Sequence, residues 1–262
     1  MKFLFVLLIF IISFQQLFGQ DLQDPDNRQD SIQALNNSSI SQEEYNRFPY
    51  KRLIVPAAFI SYGVASLSIK DLKDLNESTR FEISEHHPDH IQLDTYTQFA
   101  PGVLVYGLNA IGIEGKHNLR DRSIIYGTSL LISSAVTFPV KHMVKEERPD
   151  GSNSLSFPSG HTATAFASAQ FMFREYKDTN FLLGISGYSL AVFTGIYRIL
   201  NNKHWLGDVV AGAGVGILST ELSYWLYPKI NHLLSGKNKN GQTMIMPYYQ
   251  KGNTGIGFVK NF

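Results

Sequence analysis

Six long apolar runs, separated by short polar stretches, constrain this sequence more than any other feature. Residues 53–69 carry no charge between Arg52 and Lys70, residues 95–113 none between Asp94 and Glu114, and residues 123–140 none between Arg122 and Lys141. Three more runs follow at 160–173, 179–197 and 206–227, the last broken only by Asp208 and Glu221. Each is about 14 to 22 residues, between the length of a buried core helix and the roughly 20 residues that cross a bilayer. The expected fold is all-α, a six-helix bundle, with a short β-hairpin-like tail formed by runs 244–249 and 255–259 around Lys251-Gly252-Asn253.

The flanks read differently. Met1-Lys2 and the apolar stretch after it resemble a secretory signal peptide over residues 1–19, with Gly19 as the small residue before a cut. Leu17 fits poorly two residues earlier, so an uncleaved anchor is the alternative. Residues 20–50 are polar and read as a flexible leader. Residues 51–235 form the expected domain and 236–262 the tail. The connector 70–94 carries Glu85-His86-His87-Pro88-Asp89-His90, but Pro88 interrupts any tidy helical ligand set and a solvated loop is expected.

Composition limits the partners. Net charge is +1, which gives no global attraction to nucleic acid. Charged residues make up 17%, below the roughly 25% of soluble domains, while mean hydropathy is only −0.10. Cysteine is absent, which excludes thiolate chemistry and disulfides.

Three polar clusters border the later runs. In the first, Lys141 closes an uncharged run and Arg148 follows seven residues on, before Pro149. If the helix persists to Pro149, two cations two turns apart share a face and grip one phosphate, the guanidinium bidentately. Lys145, Glu146 and Glu147 read as a solvated turn. In the second, Pro158-Ser159-Gly160-His161 opens an apolar run, with Ser159 suited to an N-cap and His161 in the first turn. A helix N-terminus offers free N–H groups to an anion. In the third, His204 and Asp208 stand at i and i+4, where the carboxylate orients one imidazole nitrogen and leaves the other nucleophilic. Arg198, six residues before His204, adds a third cation. Gly212 and Gly216 continue that spacing and point to close helix packing. Singly, each cluster has an ordinary explanation: a basic helix end, a capped helix, a surface His-Asp pair.

Together, in this order and spacing, they resemble the type 2 phosphatidic acid phosphatase (PAP2) superfamily, which includes bacterial class A acid phosphatases and vanadium haloperoxidases. The family pattern is met by Lys141, Arg148 and Pro149, by Pro158 to His161, and by Arg198, His204 and Asp208. Tyr197 departs from it, where relatives often carry serine. The resemblance implies that His204 attacks phosphorus, Asp208 orients it and His161 protonates the leaving group. It also implies that Lys141, Arg148, Arg198, Ser159 and Gly160 hold the phosphate oxygens, with no metal and no cofactor, and that vanadate inhibits.

The expected function is a metal-independent phosphatase acting on lipid phosphates or pyrophosphates, such as phosphatidic acid, isoprenyl pyrophosphate or lipid A. A soluble periplasmic acid phosphatase and a vanadium-dependent haloperoxidase are the alternatives. The expected partners are a phosphorylated lipid or small ester and membrane lipid, not nucleic acid. The expected location is the cell envelope after export, membrane-associated, with the site facing the periplasm. One conflict stands: if all six runs span after an exported leader, Lys141 falls on the cytosolic side. Either an early run fails to span or the helices form a soluble or surface-docked bundle; the weakest runs are 53–69, with Pro56 and Gly63, and 95–113, with Pro101 and Asn109.

Overall fold

The computed structural model describes residues 50–84, 93–234, 243–250 and 253–260. The expected signal segment, almost all of the leader, and Glu85 to His90 lie outside the described residues. A 3-10 turn at Tyr50–Leu53 leads into α1 (Ile54–Ser66), followed by α2 (Lys70–Ser84), α3 (Asp94–Thr97) and α4 (Ala100–Ala110). Then come α5 (Leu119–Val144), α6 (Gly160–Tyr176), α7 (Phe181–Leu200) and α8 (Leu206–Leu234). Strands β1 (Thr243–Gln250) and β2 (Asn253–Lys260) pair antiparallel, with Gln250 opposite Asn253. The chain divides into two compact units, Met1–Trp225 and Leu226–Phe262. The strands belong to the second; the site described below lies wholly in the first.

The domain is helical, as its apolar runs require, but the described residues hold eight α-helices rather than six. Two departures account for the difference. Run 95–113 breaks in two because Pro101 sits in the first turn of α4, where its missing N–H costs nothing but a continuous helix from α3 cannot pass. The connector after Lys70, expected as a loop, begins with a 15-residue helix. Its Leu72, Leu75, Asn76 and Thr79 stand at i, i+3, i+4 and i+7 and are buried or half-buried, while the positions between them are exposed. That stripe docks α2 at about a right angle to the segment before it, the bend between Tyr50–Ser66 and Lys70–Glu82 being 90°.

Asparagine or serine starts three of the long helices. Asn118 accepts from Asp121 N, Ser159 from Thr162 N and Asn180 from Leu183 N, each meeting one of the donors a helix start leaves unpaired. Helix α6 is the centre of the bundle. Its Ala163, Ala165, Ala167 and Ala169 are fully buried, and it packs against α4, α5 and α7. Helix α8 approaches it through glycines. A β-carbon on Gly212 would lie 2.5 Å from Ser159 O, and one on Gly216 would lie 2.2 Å from Ala163 O. Both distances are far inside contact, so backbone meets backbone here and no side chain fits. Gly216→Ala is expected to destabilise the protein by about 1–3 kcal/mol, read as a lowered thermal midpoint in detergent.

The far end of α6 is held by paired buried charge. Glu175 accepts from His117 N at 3.0 Å and from the Tyr224 hydroxyl at 2.7 Å, and Glu221 accepts from Gln170 and from Arg174 at 2.7 Å. Buried carboxylates demand such partners.

Among the described residues three helices, α5, α7 and α8, are long and apolar enough to cross a membrane, or up to four segments if the bent α1–α2 pair counts as one. Runs 53–69 and 95–113 yield helices of only 13 and 11 residues in α1 and α4. Helix α5 turns Leu131, Phe138 and Met143 outward, at 71%, 66% and 80% exposure. Apolar groups so exposed along one long helix suit a lipid surround and not water.

Candidate active site

All three polar clusters meet at one end of the bundle, where α5 and α7 finish and α6 and α8 begin. Lys141 lies in the last turn of α5, and its Nζ donates to Leu155 O at 2.7 Å and Ser156 O at 3.0 Å. The helix ends sooner than expected. Val144 is its last residue, and Lys145 caps it in the left-handed region at φ 55°. Arg148 is therefore presented from the following loop and not from a helix face. Its backbone N–H donates to Asn153 O at 3.0 Å, and Asp150 N donates to Asn202 O at 3.1 Å, tying this loop to the one after α7.

The second cluster forms as its residues require. The Phe157–Pro158 peptide is cis. Ser159 is fully buried and caps α6, receiving the Thr162 hydroxyl at 2.9 Å, while its own N–H donates to Asp208 O at 3.0 Å. Gly160 is the first residue of α6, and a β-carbon there would meet Lys141 Cε at 3.9 Å. His161 follows in the first turn, within electrostatic reach of Arg198, Arg148, Lys141 and Asp94.

The third cluster differs in detail. His204 precedes α8 by two residues, so the pair does not share a helical face. Asp208 in the first turn instead reaches back: its Oδ2 lies 3.4 Å from His204 Nδ1 and accepts from Trp205 N at 2.9 Å and from Ser156 Oγ at 2.5 Å. Both side chains are 1% exposed. With Nδ1 turned to the carboxylate, Nε2 is left as the free nitrogen.

Electrostatics follow from burial beside cations. His204 is pushed down to about 4, chiefly by burial and further by Arg198 and Lys141, against the opposing pull of Asp208. His161 is likewise pushed down to about 4, by burial first and then by Arg198. Both imidazoles are neutral at pH 7. The Nε atoms of Arg148 and Arg198 are buried without an acceptor among the described residues. Three cations, a capped helix start and two buried guanidinium donors converge on one place, which suits a phosphate group.

The structure thus brings together Lys141, Arg148, Ser159, Gly160, His161, Arg198, His204 and Asp208. It adds four residues to which sequence reasoning gave no role in the site. Asp94, 1% exposed at the start of α3, accepts from Arg198 Nη1 and fixes that guanidinium. Its only sequence signal is its position as the last charge before an uncharged run. Ser156 donates to Asp208, and Glu146, read as part of a solvated turn, lies against the same carboxylate. Asn76 of α2 accepts from Gly207 N at 3.0 Å and so steadies the start of α8. Among the described residues no cluster of three or more metal-ligating side chains occurs.

A helical domain with a buried His–Asp pair ringed by fixed cations has groups suited to a phosphoryl ligand. The sequence pattern of the PAP2 superfamily matches residues 122–232 of the chain. A lipid A 1-phosphatase from Porphyromonas gingivalis is 36% identical over 138 residues, covering 52% of this chain and 31% of the relative. The bacitracin transport permease protein BcrC of Bacillus licheniformis is 34% identical over 100 residues, covering 37% of this chain and 47% of that protein. The chain therefore spans about a third of the first relative and about half of the second. Among solved structures, Aquifex aeolicus LpxE overlaps with a TM-score of 0.44 at 20% identity, covering 56% of this chain and 92% of its own. A transmembrane PAP2 type phosphatidylglycerolphosphate phosphatase from Bacillus subtilis gives 0.48 at 18% identity, covering 67% and 97%.

Proposed function

We propose that the chain, through a catalytic domain over residues 51–235, is a membrane-associated phosphatase that hydrolyses phosphate monoesters or pyrophosphates of lipids. The observation that carries this reading is the convergence of Lys141, Arg148 and Arg198 on the buried His204–Asp208 pair and the Ser159-capped start of α6. The three apolar helices and the lipid A phosphatase relative support a lipid substrate held at a membrane. The site faces the periplasm in this reading, reached after export.

In the mechanism, the three cations, the Ser159 hydroxyl and the Gly160 N–H hold the phosphate oxygens, and His204 Nε2 attacks phosphorus in line. As that N–P bond forms and the P–O bond breaks, Asp208 balances the positive charge growing on the ring. His161 gives its proton to the departing oxygen. An arriving phosphate dianion offsets the cations that depress His161, which raises its proton affinity at the moment the proton is needed. Water then attacks the phosphohistidine, giving its proton to His161, and phosphate leaves. Fixed cations supply the charge that metal ions supply elsewhere.

The test is phosphate release in EDTA, with and without vanadate, from a long-chain lipid phosphate in detergent and from a small soluble monoester. Vanadate-sensitive release favouring the lipid is expected. Preference for the soluble ester would move the protein to the periplasmic acid phosphatases, and no release from either would overturn the reading.

A further inference from the structure

Asp208 has two oxygens in different circumstances. Oδ2 receives Ser156 Oγ and Trp205 N and faces His204, whereas Oδ1 is buried and has no donor among the described residues. Glu146 Oε2 is also buried and also without a donor. Two acceptors cannot satisfy each other, yet the two carboxyl groups lie in hydrogen-bonding relation. A single proton between them resolves both orphans at once.

We propose that Glu146 is a positioning residue of the active site, carrying a proton that it donates to Asp208 and so fixing the carboxylate that orients His204. This deepens the phosphatase reading and rests on it.

The placement of Glu146 is built into the chain. Lys145 in the left-handed region turns the backbone at the end of α5, leaving Glu146 half-buried between exposed Lys145 and Glu147. Ser156 N donates to Glu146 O at 3.0 Å, and the same Ser156 donates its hydroxyl to Asp208. One pairing between two points of the loop therefore serves Asp208 from both sides. The charges around the pair are few. Glu146 faces Asp208 of α8 and Lys73 of α2, and Asp208 is in reach of His204, of Lys141 in α5 and of Arg148 in the loop. Burial and the Asp208 carboxylate push the Glu146 carboxyl up to about 9, and the distant pull of Lys73 does not cancel them. The proton is held at pH 7 and lost in alkali, when two adjacent carboxylates would repel.

The full chain in detergent, assayed on phosphatidic acid micelles, tests this with Glu146→Leu and Glu146→Gln. The leucine variant is expected to lose kcat by about tenfold to a hundredfold with KM little changed, the scale of losing a residue that orients a catalytic group. Glutamine, a donor that cannot ionise, is expected to restore most of that rate and to remove the alkaline fall expected of the wild type around pH 9. A wild-type rate in the leucine variant, or an unchanged alkaline fall in the glutamine variant, overturns the assignment. Infrared spectra read the proton without turnover: a buried carboxylic-acid carbonyl band is expected at neutral pH, lost in alkali and absent from Glu146→Gln. If the wild type releases no phosphate above His204→Ala, the functional reading fails. The infrared band then decides the Glu146 proton separately, and its absence from the wild type overturns that too.

Discussion

His204→Ala is expected to abolish vanadate-sensitive phosphate release, with a loss of about a thousandfold or more, because the group that attacks phosphorus in the proposed mechanism is removed. The residue is 2% exposed, so the variant also leaves a small cavity, and its thermal midpoint must be followed alongside. The two effects separate cleanly. A cavity lowers the midpoint and leaves the rate per folded molecule, whereas loss of the nucleophile removes the rate at any temperature where the protein is folded. Acid-labile phosphate trapped on the wild type and missing from the variant would locate the covalent step. Retained activity in folded His204→Ala would remove His204 from the mechanism.

Arg198→Ala is expected to cost about 3–5 kcal/mol of stability in addition to activity. Its guanidinium pairs with Asp94, which is 1% exposed, and truncation leaves that carboxylate buried without a counter-charge. Adding Asp94→Asn returns part of the stability, since the buried charge goes too, but none of the phosphate binding. The activity loss, about a hundredfold to a thousandfold, is the scale of losing one donor to developing charge. The pH profile adds a signed test. Arg198 depresses His204, and only the neutral imidazole attacks, so the acid limb of the wild-type kcat/KM profile is expected near pH 4. Removing the cation raises that imidazole, so in Arg198→Ala the acid limb moves to higher pH. Ionisation of the substrate is common to both proteins and cancels in the comparison. An unmoved limb would place Arg198 too far from His204 to act on it.

Much of this protein was legible before its coordinates. Ser159 caps a helix because a short polar side chain competes for the free N–H groups of a helix start. Gly212 and Gly216 announce a close helix contact because nothing else leaves room for one. Such properties are local, or repeat along one helix, and a sequence records them directly. The three polar clusters were legible in the same way, as fixed residues at fixed spacing. Two misreadings were local as well. The stripe Leu72, Leu75, Asn76 and Thr79 was present but lay within a polar, acidic stretch, and Pro101 marked the break between α3 and α4.

What the sequence did not contain is which charge lies against which. Asp94 meets Arg198 across 104 positions, and Ser156 meets Asp208 across 52. Glu146 sits in a run of charged residues that looks solvated, and only the fold over it makes that carboxyl a buried acid. Periodicity and short-range signals marked the helices and the Ser159 cap, because those follow from local backbone and side-chain physics, and the resemblance carried by the three motifs supplied the proposed phosphate-binding set. Tertiary packing alone decided how the set is charged and oriented, because burial and long-range pairing govern electrostatics and neither exists until distant segments meet.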